Sequence, residues 1–153
     1  LLLVVDDVVR RRHELIQAAI GGDNRCYYLN SLWTVRETLD WLVGGRGLAR
    51  GRRHPTEVRV GDRIDTWEVI GMEPERRLTL VFGMRAPGAG VLEFDLEPLA
   101  GEHTRLTATA YWHPAGVWGL MYWLSMEPFH QVISSGLTRE ICRRAEAWQL
   151  GKI

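Results

Sequence analysis

The feature that most constrains this chain is a change of period. Between residues 63 and 112 apolar side chains recur at every second position, and from residue 115 they recur at helical spacing. Period two occupies four segments, 63–70, 78–86, 91–97 and 104–112, separated by turn-like stretches at 71–77, 87–90 and 98–103. Connections this short predict an antiparallel meander. In the third segment Leu92, Phe94 and Leu96 point one way while Glu93, Asp95 and Glu97 point the other, so the sheet has a covered face and a wet one. Leu78, Leu80, Phe82 and Met84 share the covered face, as do Leu106, Ala108, Ala110 and Trp112, a lining of mixed large and small residues. The opening Leu-Leu-Leu-Val-Val run predicts an edge strand.

Pro114 ends the last strand, and helical periodicity runs from 115 to about 150 with Pro128 inside it, where a kink or break is expected. Before that proline the helix is apolar almost all round (Val117, Trp118, Leu120, Met121, Tyr122, Trp123, Leu124 and Met126), which predicts cover on more than one side. After it, Val132, Ile133, Leu137, Ile141, Ala145 and Trp148 form one stripe opposite Arg139, Glu140, Arg143, Arg144 and Glu146. Upstream, a short helix at 14–20 stopped by Gly21 and Gly22 is expected. A second helix should start at Asn30 or Ser31, carry Leu32, Val35, Leu39 and Leu42 on one face, and stop at Gly44 and Gly45. The whole reads as an α+β chain, a single domain over 1–153, in which a curved antiparallel sheet is closed by a long kinked C-terminal helix.

Nineteen Lys and Arg balance nineteen Asp and Glu, which removes the sequence-independent attraction to nucleic acid or anionic lipid that a basic domain carries. Cys26 and Cys142 match neither a disulfide framework nor a CxxC metal or redox motif, and suit a reducing cytoplasm. The opening apolar run meets Asp6 and Asp7 at once, so neither a signal peptide nor a spanning helix is expected there, and Glu127, Pro128 and His130 interrupt the later hydrophobic run too early for a bilayer span. A start at Leu rather than Met fits a trimmed chain, a piece of a longer protein or disordered ends alike.

Several motifs read together carry a resemblance: GGRGLARGRRHP at 44–55, GDRIDTWEV at 61–69, LEF at 92–94, HPAGVWGLMYW at 113–123 and EPFH at 127–130. They resemble an uncharacterised bacterial family of domains of unknown function, also found C-terminal to NAD(P)-dependent epimerase or short-chain-dehydrogenase-like domains. The similarity extends from about residue 21 to residue 144. It implies the START-like helix-grip (SRPBCC) superfamily, which includes polyketide cyclases, pollen-allergen-type carriers and lipid-transfer domains, with a cavity between sheet and helix. It also implies a dehydrogenase- or epimerase-like domain as a partner. No nucleotide-binding half lies within this chain.

Gly45 and Gly47 have dinucleotide-loop spacing, but Arg50 occupies the third glycine position and the loop follows a helix, so the Rossmann reading fails and no cofactor is expected. Arg46, Arg50, Arg52, Arg53 and Arg59 offer bidentate contacts to an anionic group, against the plainer reading of a solvated loop. The histidines at 13, 54, 103, 113 and 130 lack zinc-site spacing, and no GxSxG elbow or paired cysteine supports covalent catalysis. Glu127 and His130 share a helical face, as a pocket-facing acid/base pair or, more plainly, a packing pair. Asp65 shares strand parity with Trp67 and Val69. On a concave face its carboxylate would be desolvated and raised in pKa; on the other it is an ordinary exposed residue.

Seven tryptophans suit either an aromatic-lined cavity or a solid aromatic core, with Trp41, Trp67, Trp112, Trp118 and Trp123 in elements that border the interior. The expected function is binding of a hydrophobic or amphipathic small molecule, such as a lipid, isoprenoid, polyketide or quinone-like compound. Trp41, Trp67, Phe82, Met84, Phe94, Trp112 and Tyr122 would line the cavity, and Arg53, Asp65, Glu127 and His130 would supply its polar contacts. The rivals are a cyclase or dehydratase using Asp65 or His130 as acid/base, and an interaction module for the dehydrogenase-like partner.

Overall fold

The computed structural model describes residues 2–10, 58–64, 66–83, 85–101 and 103–149, together with Thr34, Thr38, Trp41, Leu42 and Gly44. Six strands, β1 (Leu2–Arg10), β2 (Arg63–Ile64), β3 (Trp67–Glu73), β4 (Arg77–Phe82), β5 (Gly88–Leu99) and β6 (His103–Pro114), precede a helix, α1 (Gly116–Gln149). They form one curved antiparallel sheet in the order β1-β6-β5-β4-β3-β2, so the opening strand lies at an edge and the rest is a meander. The helix packs against β1 and β6, giving the helix-grip arrangement. No helix among the described residues is long and apolar enough to cross a membrane.

Alternation in β5 and β6 sets the register. Phe94 lies opposite Ala108 and Leu92 opposite Ala110, large against small, while Leu96 meets Leu106 farther along the ladder. On the wet face Arg77 Nε donates to Asp95 Oδ1 at 2.7 Å, Thr79 Oγ1 to Glu93 Oε2 at 3.3 Å, and Arg105 Nη1 to Glu97 Oε2 at 2.9 Å. Such ties, only partly shielded from water, fix register more than they add stability.

The segment expected to be one strand at 63–70 is instead a tight hairpin: Arg63 pairs with Glu68 and Ile64 with Trp67. Parity explains the difference. Ile64 and Val69 are both buried yet an odd number of residues apart, and one extended strand would send them to opposite faces. A bulge between Val69 and Gly71 then leaves Ile70 exposed, and β3 continues to Glu73 before a turn at 74–76. The helix expected at 14–20 and most of the one expected over 31–42 lie outside the described residues. Thr34, Thr38, Trp41 and Leu42 are helical, and Gly44, at φ 77°, donates its N–H to the Trp41 carbonyl at 2.9 Å as a helix stop does.

Two apolar clusters hold sheet to helix. The larger contains Val69, Leu78, Leu80, Phe94, Leu96, Leu106 and Ala108 from the sheet, with Ile141 and Cys142 from the second half of α1. The smaller joins Leu3 and Trp112 to Trp123 in the first half. The start of α1 is fastened to the sheet: Ala115 N–H donates to the Pro87 carbonyl at 3.0 Å, and Trp112 Nε1 donates to the Gly119 carbonyl at 3.3 Å. Gly119 approaches so closely that a Cβ there would collide with the Pro87 oxygen.

The early helix is not covered on several sides as its composition suggests. Trp123 is buried, but Trp118 is 76% exposed. Five residues at 100° each set the two indoles about 140° apart around the axis, so only one can face the sheet. Val117, Met121, Leu124 and Phe129 are exposed as well. Farther along, Arg143 donates to Glu140 through Nε at 2.7 Å and Nη2 at 2.6 Å, and Arg144 Nε adds a bond at 3.0 Å. These hydrogen bonds, Arg143's first, hold the Glu140 carboxyl below the ordinary glutamate range against the opposing effect of burial.

Two outcomes follow. Gly119→Ala is expected to lower stability in urea denaturation by about 1–3 kcal/mol, whereas Val117→Ala, on an exposed side chain, stays within about 0.5 kcal/mol; equal effects would show that the close approach does not hold the helix. The lowered Glu140 pKa contributes stability that is complete above the unfolded-state value and lost as pH falls through the folded-state value. Glu140→Gln should therefore destabilise near neutrality and converge with the parent in acid, and a gap independent of pH would contradict this.

Candidate functional site

Between the two apolar clusters the covered face and the helix fail to touch. A cavity of about 100 Å³ remains, walled on the sheet side by Trp67, Phe82, Gly90, Leu92, Ala110 and Trp112. Trp123, His130, Ile133, Ser134 and Leu137 form its helix side. Leu3 closes the edge, and Tyr111, 46% exposed, stands at the rim.

The sequence makes this gap in a simple way. One row across the sheet runs Leu3, Ala110, Leu92 and Leu80, and the next places Gly90 opposite Trp112. Ala110 and Gly90 are too small to reach the helix, while the rows beyond are filled by Phe94, Leu78 and Leu106. A Cβ on Gly90 would stand 3.3 Å from Phe82 Cβ and 3.4 Å from Trp112 Cε3, so the aromatic rings already crowd the backbone there.

Aromatic rings frame the space. Trp67 and Phe82 meet with centroids 5.2 Å apart and planes tilted 59°. On the other side Trp112 stacks on Trp123 at 5.9 Å and 15°, and Trp123 meets the His130 imidazole at 5.6 Å. Pairs at these separations add to the stabilisation that area burial alone provides. His130 Nδ1 is itself buried. An apolar wall carrying one imidazole can hold a flat or aliphatic group and address a single polar atom on it.

Four of the residues singled out from the sequence come together here: Trp67, Phe82, Trp112 and His130. Phe94, 2% exposed, belongs to the solid cluster one row away. Tyr122 packs behind Trp112, ring to ring at 5.5 Å, outside the cavity lining. Glu127 is half-buried on α1 but does not line the cavity, so the Glu127–His130 unit is divided. Trp41 is 56% exposed. Arg53, Asp65 and Met84 lie outside the described residues. Trp123, Ser134 and Leu137 join His130 on one face at spacings of seven, four and three residues, a stripe visible in the sequence once the helix start is known.

Among the described residues no group of three or more His, Cys, Asp or Glu is placed to hold a metal ion. A separate shallow groove runs along the outer side of α1 past Gln131, Ser135, Arg139, Glu140 and Arg143. Its central carboxylate is already committed to Arg143 and Arg144.

Solved structures share the fold at low sequence identity. Protein MLL2253 from Mesorhizobium loti superposes with a TM-score of 0.56 at 13% identity, over 95% of this chain and 97% of that one. TTHA0849 from Thermus thermophilus gives 0.54 at 11% identity, over 97% and 99%. DynU16, from the dynemicin biosynthetic locus, gives 0.54 at 18% identity and covers 99% of this chain but 48% of its own, so this chain spans about half of it. Likeness at these identities concerns the fold alone. A comparison with curated proteins finds no match. The sequence itself matches a family, described as proteins of unknown function (DUF2867), over residues 5–137, and the chain belongs to that family.

Proposed function

We propose that this protein binds a hydrophobic or amphipathic small molecule by inserting part of it between the sheet and α1. The observation that carries this reading is the aromatic-walled gap left by Gly90 and Ala110 between two otherwise well-packed clusters. Close-packed interiors rarely keep such space, since empty volume forfeits dispersion contacts on every wall.

Size narrows the ligand. A dry apolar cavity of ~150 Å³ accepts a benzene ring, whereas sites that swallow a whole drug-sized molecule measure roughly 300–1,000 Å³. About 100 Å³ falls somewhat below the ring-sized benchmark, so it suits a short alkyl segment or a ring that widens it, with the rest of the molecule leaving past Tyr111. The structural likeness to DynU16, whose locus is biosynthetic, adds support by analogy.

A second reading has one observation in its favour. His130 brings a titratable imidazole into the apolar wall, a setting suited to moving a proton on a bound substrate in a cyclase- or dehydratase-type step. In that case His130→Gln abolishes turnover of a substrate that the variant still binds.

Ala110→Leu separates cavity binding from all else. The added side chain fills the gap at a cost the fold can absorb, about 1–3 kcal/mol. Toluene, followed by tryptophan emission and by the rise in Tm, is expected to bind the parent and to bind Ala110→Leu at least tenfold more weakly, with circular dichroism unchanged. Equal binding to both proteins, or to neither, would overturn the proposal.

A further inference from the structure

We propose that Ser134, together with His130, forms the polar anchor of the cavity and selects a ligand whose inserted end carries one neutral oxygen, a phenolic or alcoholic hydroxyl or a ketone. The inference rests on the cavity-binding reading and specifies the chemistry of its ligand.

The two residues are one helical turn apart, which places their Cβ atoms about 5–6 Å from each other on the same face of α1. Both line the cavity. What sets Ser134 apart is where the neighbouring hydroxyls go. Ser125 donates to the Tyr122 carbonyl at 2.8 Å, Ser135 to the Gln131 carbonyl at 2.8 Å, and Thr138 to the Ser134 and Ser135 carbonyls at 3.2 and 3.1 Å. Each satisfies its side chain on the helix backbone, the usual recourse of a hydroxyl in a helix. The Ser134 hydroxyl makes no such bond among the described residues, and Ser134 lines the cavity beside Ile133 and Leu137.

The rest of the described lining offers no equivalent. Trp112 Nε1 is donated to the Gly119 carbonyl, Tyr111 stands at the exposed rim, and no Lys or Arg is present to meet a carboxylate or phosphate. A serine hydroxyl both donates and accepts, and a neutral imidazole has one nitrogen of each kind. A ligand hydroxyl can accept from one residue while donating to the other, and a ketone can accept from both. A hydrocarbon of the same shape leaves the Ser134 hydroxyl without this exchange, which weakens its binding relative to a ligand that carries the polar atom.

Phenol and toluene have the same ring and differ in one group, so the ratio of their dissociation constants isolates the anchor from the cavity. The ratio is measured by tryptophan emission, with saturation-transfer NMR as a second readout, on the parent, Ser134→Ala and His130→Phe. Ser134→Ala is expected to shift the ratio about tenfold toward toluene, almost wholly by weakening phenol, and His130→Phe to shift it the same way. A ratio unchanged in both variants, with toluene still bound, overturns the anchor and leaves the cavity reading standing. If neither compound binds the parent, both fall together.

Discussion

The helix of this protein is held to its sheet at two places, and everything of interest lies between them. At one end the Pro87 carbonyl receives the Ala115 N–H and Gly119 lies against it, while Trp112 reaches across to the Gly119 carbonyl. At the other, Ile141 and Cys142 sink into the cluster around Phe94 and Leu106. With both ends fixed, the helix cannot settle onto Gly90 and Ala110. The hollow follows from geometry imposed elsewhere, in the way close-packed cores transmit constraint over several residues.

Much of this was legible in the sequence because one face of the sheet is wet. The run from Leu92 to Glu97 declares its two sides, and the observed pairing of Leu92 with Ala110 and Phe94 with Ala108 keeps those sides. Alternation does not, however, reveal a turn inside an apolar run. Ile64 and Val69 both enter the core, which only the hairpin at 63–68 allows. The segment's composition alone reads equally well as one strand.

The candidate site was partly legible for a related reason. Parity assigns a residue to a face but not to a row, so Phe94 and Phe82 look equivalent although one is embedded and the other borders the hollow. On the helix, neighbours such as Tyr122 and Trp123 differ by about 100°, enough to put one behind Trp112 and the other against the cavity. Residue type does not distinguish Ser134 from Ser135, and spacing does so only once the helix start is known. In the structure Ser135 donates its hydroxyl to the Gln131 carbonyl while Ser134 lines the cavity.

Pro128 gives α1 one further property. Lacking an N–H, it leaves the Leu124 carbonyl without the bond that the helix ladder would supply, and both residues face water, where solvent can take the missing place. This interrupted rung falls between Trp123 and His130, the two α1 side chains that meet ring to ring over the hollow. The one weakened turn of the roof thus lies directly above the empty space, so any widening of the hollow would bend that turn and leave both anchored ends as they are.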